Sequence, residues 1–259
     1  MRIVILPTEV EASNFAAEFI TEFINNNKNP VVGLATGGSV VMTYEALISK
    51  HQLGQVSFQE TTTFNLDEYL GLAPNHAQSY RSYMNRTLFD HIDIDLSKTY
   101  VPECFDDNFD SACSSYENEI NKRGGIGLQL LGVGSNGHIG FNEPTSSFQS
   151  RTRVKTLTKS TLTQNARFFE ASENQPSLAI TMGIGTIMEA ENILLIGLGK
   201  HKSKAVADVI EGPLSAFCPG SILQNHPNAT IVIDKLAASD LELYDYYIQT
   251  EKMKSKYNC

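Results

Sequence analysis

Short apolar, β-branched runs alternate along the chain with longer stretches in which apolar positions recur every three or four residues. The runs are 2–6 (RIVIL), 30–35 (PVVGLA), 61–66 (TTTFNL), 128–133 (LQLLGV), 177–182 (SLAITM), 192–198 (NILLIGL) and 229–234 (ATIVID). Most are apolar without alternation, the pattern of strands covered on both faces, as in a parallel sheet. The longer stretches have helical periodicity: EVEASNFAAEFITEFI, VMTYEALISK, QSYRSYMNRTLFDHI, CSSYENEINKR, KSKAVADVIEG and SDLELYDYYIQTEKMKSK. Thr8, with Glu11 three residues on, forms a capping box that opens the first of them. This alternation predicts an α/β fold: a doubly wound, Rossmann-like, mostly parallel sheet with helices on both faces. No Pro/Ser-rich linker, low-complexity tract or internal repeat divides residues 1–259, which predicts a single domain. The least regular segments are about 97–109 and 144–176. The second overlaps a predicted mobile lid at about 157–180.

In such sheets ligands bind beyond the carboxyl ends of the strands, so the residues that follow each run carry the functional reading. Thr36-Gly37-Gly38-Ser39 follows the second run and Asp67-Glu68-Tyr69 the third. Gly134 to Glu143 follows the fourth, Gly183-Ile184-Gly185 the fifth, and Gly199-Lys200-His201-Lys202 the sixth. All are expected on one rim. Gly37, Gly38 and Ser39 lie between a strand and a helix start. There backbone amides can approach a ligand and the helix N-terminus adds partial positive charge, which suits a phosphate. The alternative is a tight turn with a serine cap. Gly33-x-x-x-x-Gly38 is not a Walker A loop, because no lysine follows it.

Gly132-x-Gly134-x-x-Gly137 imitates a dinucleotide fingerprint but fails its context. Pro144 would break the required helix, and no Asp or Glu lies between Pro144 and Phe169. That interval carries Arg151, Arg153, Lys155, Lys159 and Arg167, which suit an anionic ligand or a solvated surface. Asp67, at a strand's carboxyl end opposite the glycine-serine turn, is a candidate catalytic carboxylate. His138 can move protons near neutral pH, with Glu143 to orient it. Lys202 is either a second phosphate cation or a surface lysine.

Composition narrows the function further. The chain is 41% hydrophobic and 19% charged, which is globular, and its formal net charge of −9 argues against nucleic acid and anionic membranes as partners. MRIVILPTEV does not read as a signal peptide, and no run approaches the roughly 20 apolar residues of a membrane span. Cys104, Cys113, Cys218 and Cys259 have neither CxxC nor metal-ligand spacing, so a cytoplasmic location without a metal site is expected. The residues alone therefore predict a cytoplasmic domain that binds a small phosphorylated metabolite and performs acid–base chemistry.

GLATGGS, TTFNLDEYLGL, SYRSYMNRTLFDHIDI, GVGSNGHIGFNEPTSSFQSRTRVKTLT and ARFFE together resemble the glucosamine-6-phosphate deaminases (isomerases), in the same order through nearly the whole chain. The resemblance implies conversion of glucosamine 6-phosphate and water to fructose 6-phosphate and ammonia, with no cofactor or metal. It implies that His138, supported by Glu143, opens the sugar ring and that Asp67 carries a proton from C2 to C1. It implies that Gly37, Gly38, Ser39, Arg167 and Lys202 hold the phosphate. Asn136 departs from the aspartate found in many members and implies that Glu143 bears more of the histidine's charge. SSFQSRTRVKT is similar to the activator-binding run of hexameric members. It implies a homohexamer in which Ser146, Arg153, Lys155 and Thr156, with Tyr246 or Tyr247, bind N-acetylglucosamine 6-phosphate. The alternatives are a galactosamine-6-phosphate deaminase, a 6-phosphogluconolactonase-like hydrolase and a non-catalytic sugar-phosphate sensor.

Overall fold

In a computed structural model, which describes residues 1–103, 108–165, 169 and 175–257, the apolar runs become strands nearly where the pattern puts them. β1 (Arg2–Leu6), β2 (Val31–Leu34), β3 (Thr62–Asn65), β6 (Leu128–Gly132), β9 (Asn192–Gly197) and β10 (Ala229–Asp234) join the two-residue β5 (Thr99–Tyr100) in one seven-stranded sheet. Its order is β1-β10-β9-β6-β2-β3-β5, and every pairing is parallel. Strands such as VVGL and ATIVID are buried at every residue, so their unbroken apolar character reflects cover on both faces.

Helices supply that cover. α1 (Glu9–Asn26) opens on the predicted capping box: the Glu11 amide donates to Thr8 Oγ1 at 3.2 Å, and Thr8 Oγ1 donates to Glu11 Oε2 at 2.8 Å. Its Ala12, Ala16, Ile20 and Ile24 lie four apart on one face, all buried, and the helix packs on β1, β9 and β10. The small alanines let it sit close to the sheet, while each buried isoleucine contributes roughly 1.5–3 kcal/mol. α2 (Val41–Gln52) packs on α1, and α8 (Tyr244–Tyr257) on β1. α4 (Phe109–Lys122) and α7 (Ser203–Ile210) complete the long helices that periodicity predicts, and α3 (Tyr80–Thr87) fills the first part of its stretch.

The chain leaves β2 toward β3 and β5, then returns to β6 on the other side of β2 and proceeds to β9 and β10. The direction of winding therefore reverses between β2 and β6. Connections diverge there and leave a crevice above the strands' carboxyl ends. The glycine-serine turn follows β2 and the glycine-rich turn follows β6, so the topology alone puts both at that crevice.

One strand departs from expectation. SLAITM does not join the parallel sheet. Its β8 (Leu178–Thr181) lies in a separate antiparallel sheet between β4 (Asp67–Tyr69) and β7 (Arg153–Thr156). Leu66 marks the branch: its amide still donates to Leu34 O at 3.1 Å, while its carbonyl accepts from the Met182 amide at 2.6 Å. Asp67 is the first residue past the branch. Accordingly, Gly183 and Gly185 are not on the shared rim. A Cβ on Gly183 would lie 2.0 Å from Ser150 O, so both glycines serve a close packing contact with the 149–151 backbone. Two short helices, α5 (Lys159–Asn165) and α6 (Ile184–Met188), lie where no periodic pattern is long enough to predict them.

Candidate active site

A cleft of about 180 Å³ sits at the winding reversal, lined among others by Gly37, Gly38, Ser39, Asp67, His138 and Lys202. That volume exceeds what a single water fills by an order of magnitude and suits a small metabolite. Gly37 adopts φ +106°, which a side chain would strain, and a Cβ on either Gly37 or Gly38 would meet no atom of the described residues within 4 Å. The room beside these glycines is thus left for something else, next to the turn Gly38–Val40 that leads into α2. Lys202 ends the turn after β9, where its amide donates to Gly199 O at 3.0 Å. Asp234, buried at the end of β10, fixes that turn by accepting from the Gly199 amide at 2.8 Å.

Asp67 has only 5% of its surface exposed. Burial pushes its carboxyl up to about 8, the Glu68 charge adds to the rise, and the Phe141 amide opposes it. Glu68 is held by three amides, those of Tyr69, Tyr80 and Arg81, at 2.8, 2.9 and 3.0 Å. That carboxylate therefore anchors the start of α3 and places Tyr80 in the cleft wall.

His138 owes its place to the glycines around it. The Gly134 amide donates to His138 O at 2.9 Å and the Gly137 amide to Gly134 O at 3.0 Å, closing a tight turn. A Cβ on Gly134 would overlap the imidazole at 2.2–2.4 Å, so only glycine lets the ring lie there. A Cβ on Gly140 would come 3.3 Å from Asp67 Oδ2, so the same loop passes close to the carboxylate. His138 Nδ1 is 3.5 Å from Glu143 Oε2, longer than an ordinary hydrogen bond. Asn136 ties the pair together: its Nδ2 donates to Glu143 Oε2 at 2.9 Å, and its Oδ1 accepts from the His138 amide at 3.2 Å. Burial by itself would push Glu143 up. The nearby His138 ring, the hydrogen bond from the Thr161 hydroxyl and the Asn136 amide together outweigh it and bring the carboxyl down to about 2.

A family model for glucosamine-6-phosphate isomerases/6-phosphogluconolactonase matches residues 8–232. The glucosamine-6-phosphate deaminase of Colwellia psychrerythraea is 50% identical over 259 residues, spanning 100% of this chain and 97% of that protein. The chain belongs to the glucosamine-6-phosphate deaminase family. The Shewanella woodyi deaminase is 51% identical over 99% of this chain and 97% of its own length. A solved structure described as a monomeric glucosamine-6-phosphate deaminase superposes with a TM-score of 0.90 at 44% identity, over 92% of this chain and 99% of that one. The 6-phosphogluconolactonase of Trypanosoma cruzi, at 19% identity, TM-score 0.75 and coverage of 93% and 97%, shares the fold alone.

Of the residues that resemblance to the deaminase family assigns to the cleft, Gly37, Gly38, Ser39, Asp67, His138 and Lys202 line it, with Asn136 and Glu143 behind the histidine. Arg167 lies outside the described residues. The residues expected to bind an activator are less closely grouped. β7 carries Arg153 and Lys155 on one face and Thr156 on the other. Ser146 is buried with no hydrogen-bond partner for Oγ among the described residues, and Arg153 donates to Asn142 Oδ1 at 2.9 Å. Tyr246 and Tyr247 stand on α8 at the β1 edge, whereas β7 packs on α4. Arg151 is clamped between Glu117 and Glu189 rather than turned to a ligand. No helix among the described residues is long and apolar enough to cross a membrane, and no group of three or more His, Cys, Asp or Glu among them could hold a metal.

Sequence reasoning missed Thr158 and Thr161, whose hydroxyls both donate to Glu143 Oε1. Their one signal is the T-x-x-T spacing at the start of α5, which reads as an ordinary cap.

Proposed function

We propose that this chain converts glucosamine 6-phosphate and water to fructose 6-phosphate and ammonia. The observation that carries the reading is one cleft with a buried carboxylate of raised proton affinity, a carboxylate-backed imidazole and an amide-lined turn beside Lys202. The Gly37–Ser39 turn and Lys202 receive the phosphate. His138 takes the proton of the C1 hydroxyl and passes one to the ring oxygen, so the C1–O5 bond breaks and the open aldehyde forms. Ionised Asp67 removes the C2 proton while the C1 carbonyl oxygen gains the proton that the C2 ammonium gives up, leaving an enolamine. Asp67 then returns its proton to C1, so that C1 becomes CH2OH and the C2–N bond a protonated imine. Water adds at C2 and ammonia leaves. An Asp67 value near 8 makes a strong base whose ionised form is favoured by the cationic amine of the substrate. A lactonase needs no carboxylate to move a proton between neighbouring carbons. The assay is ammonia release from glucosamine 6-phosphate, its C4 epimer and a lactone control. Release from the first alone is expected. Lactone hydrolysis without ammonia overturns the reading, and preference for the epimer transfers it to galactosamine 6-phosphate.

The mobile lid expected at about 157–180 remains part of this proposal, supported by Thr161 in the cleft wall, while 166–168 and 170–174 lie outside the described residues. The setting is the cytoplasm. The finer proposal is a homohexamer activated by N-acetylglucosamine 6-phosphate. It is supported by the unpartnered buried hydroxyl of Ser146 and by the Arg153 bond to Asn142, the neighbour of Glu143. Because the relative of solved structure is described as monomeric, light scattering is the first test. A monomer, or saturation kinetics that the activator leaves unchanged, overturns this part alone.

A further inference from the structure

We propose that Thr158 and Thr161 are positioning residues that keep Glu143 ionised, so that α5 sets the charge behind His138. The inference deepens the proposed function and rests on it for its catalytic meaning. Glu143 is 2% exposed, and a carboxylate so deeply buried goes neutral unless donors hold its charge. Its two oxygens are served from two different segments. Oε2 accepts from Asn136 Nδ2 at 2.9 Å and faces His138 Nδ1 at 3.5 Å, both on the glycine-rich turn. Oε1 accepts from Thr158 Oγ1 at 3.1 Å and from Thr161 Oγ1. Thr161 itself is 5% exposed.

Thr158 has a second duty. Its Oγ1 accepts from the Thr161 amide at 3.3 Å, and its carbonyl accepts from the Leu162 amide at 2.9 Å, which starts α5. The Thr158 hydroxyl thus serves both the first turn of α5 and the carboxylate, and the Thr161 hydroxyl is carried on that same turn: α5 cannot unwind there without removing both donors to Oε1. Among the described residues, His138 is the titratable group that faces Glu143. The charged residue of α5, Lys159, is exposed, and Asp67 and Lys202 line the cleft before the histidine. The hydroxyls, rather than a cation, hold this side of the carboxylate.

The test is a ¹³C NMR titration of the Glu143 carboxyl in the free protein, with ammonia release measured beside it. Thr161→Val keeps the shape and removes the donor. The Glu143 midpoint is expected to rise by at least about one pH unit, and kcat to fall roughly 3- to 10-fold. Thr161→Ser is expected to restore both. Thr158→Val is expected to raise the midpoint by a smaller amount, and it is the variant to read if Thr161→Val does not fold. An unchanged midpoint in a folded valine variant overturns the proposal, as does a serine variant that behaves like valine. Because the titration needs no turnover, a shifted midpoint in a protein that releases no ammonia would sink the proposed function and leave the positioning role standing.

Discussion

Asp67 and Glu143 are both almost completely buried carboxylates at the same cleft, yet their surroundings drive them in opposite directions. Asp67 follows the branch between two sheets, where burial and the like charge of Glu68 outweigh the opposing influence of the Phe141 amide, and it rises to about 8. Glu143 ends a glycine-rich turn where four side chains from two segments face its oxygens, and it falls to about 2. Burial raises both; the supply of donors decides the outcome. A pair of acids with values pushed apart is the usual physical basis for dividing acid–base labour. Under the proposed function it gives Asp67 the proton that moves and Glu143 the permanent charge.

Removing the first member of the pair should have the largest effect. Asp67→Asn is expected to lower kcat by about 10³- to 10⁴-fold, measured as ammonia release. The same variant should be more stable than the wild type. The folded-state value of Asp67 lies above its unfolded value of 3.8, so its ionisation opposes folding once pH passes 3.8, and the cost grows until about pH 8. The stability gain in Asp67→Asn, read by urea unfolding, should therefore widen from pH 5 to pH 8, reaching on the order of a few kcal/mol. A constant gain would mean the carboxyl is not perturbed in the fold. In the free wild-type enzyme, kcat/KM should rise with pH toward about 8, because only the ionised base can take the C2 proton.

The imidazole comes next: His138→Gln should lower kcat by roughly 10²- to 10³-fold while substrate binding, read by calorimetry, holds. Gly134→Ala probes position rather than chemistry. Its methyl would occupy the place of the ring, 2.2–2.4 Å from it, and the side chain can swing away with the fold intact. A loss of about 10- to 100-fold in kcat with an unchanged melting temperature is expected. Asn136→Asp should have the smallest effect. It replaces a donor 2.9 Å from Glu143 Oε2 by a second carboxylate, so the pair must share a proton and Glu143 should titrate at least about one unit higher. Activity would then fall away sooner on acidification; an unchanged acidic limb would remove Asn136 from the network.

Much of the frame could be read from residue order. Leu128 to Leu131 and Ala229 to Asp234 are buried at every position, and their apolar runs announced it. Gly37 to Ser39, Asp67, His138 and Lys202 could be collected because each follows a strand. Other elements left no local trace. β5 is two residues long, and β7 reads RVKT, polar at all but one position and on an edge. β8 has the composition of a central parallel strand, and its Ala179, Ile180 and Thr181 are indeed buried, but in a different sheet, with Leu178 exposed. Composition reports burial; it does not report which neighbour does the burying.

From the chain's own order came the parallel α/β framework, the capped first helix and the collection of strand-end residues around a phosphorylated ligand. Those follow from periodicity and turn chemistry, which act over a few residues. Only the tertiary structure decided that the chain branches at Leu66, that Glu68 anchors α3, and that Thr158 and Thr161 close the shell of donors around Glu143. Each depends on hydrogen bonds between residues 12 to over 100 positions apart. Such bonds acquire their strength from burial that exists only once the chain has folded.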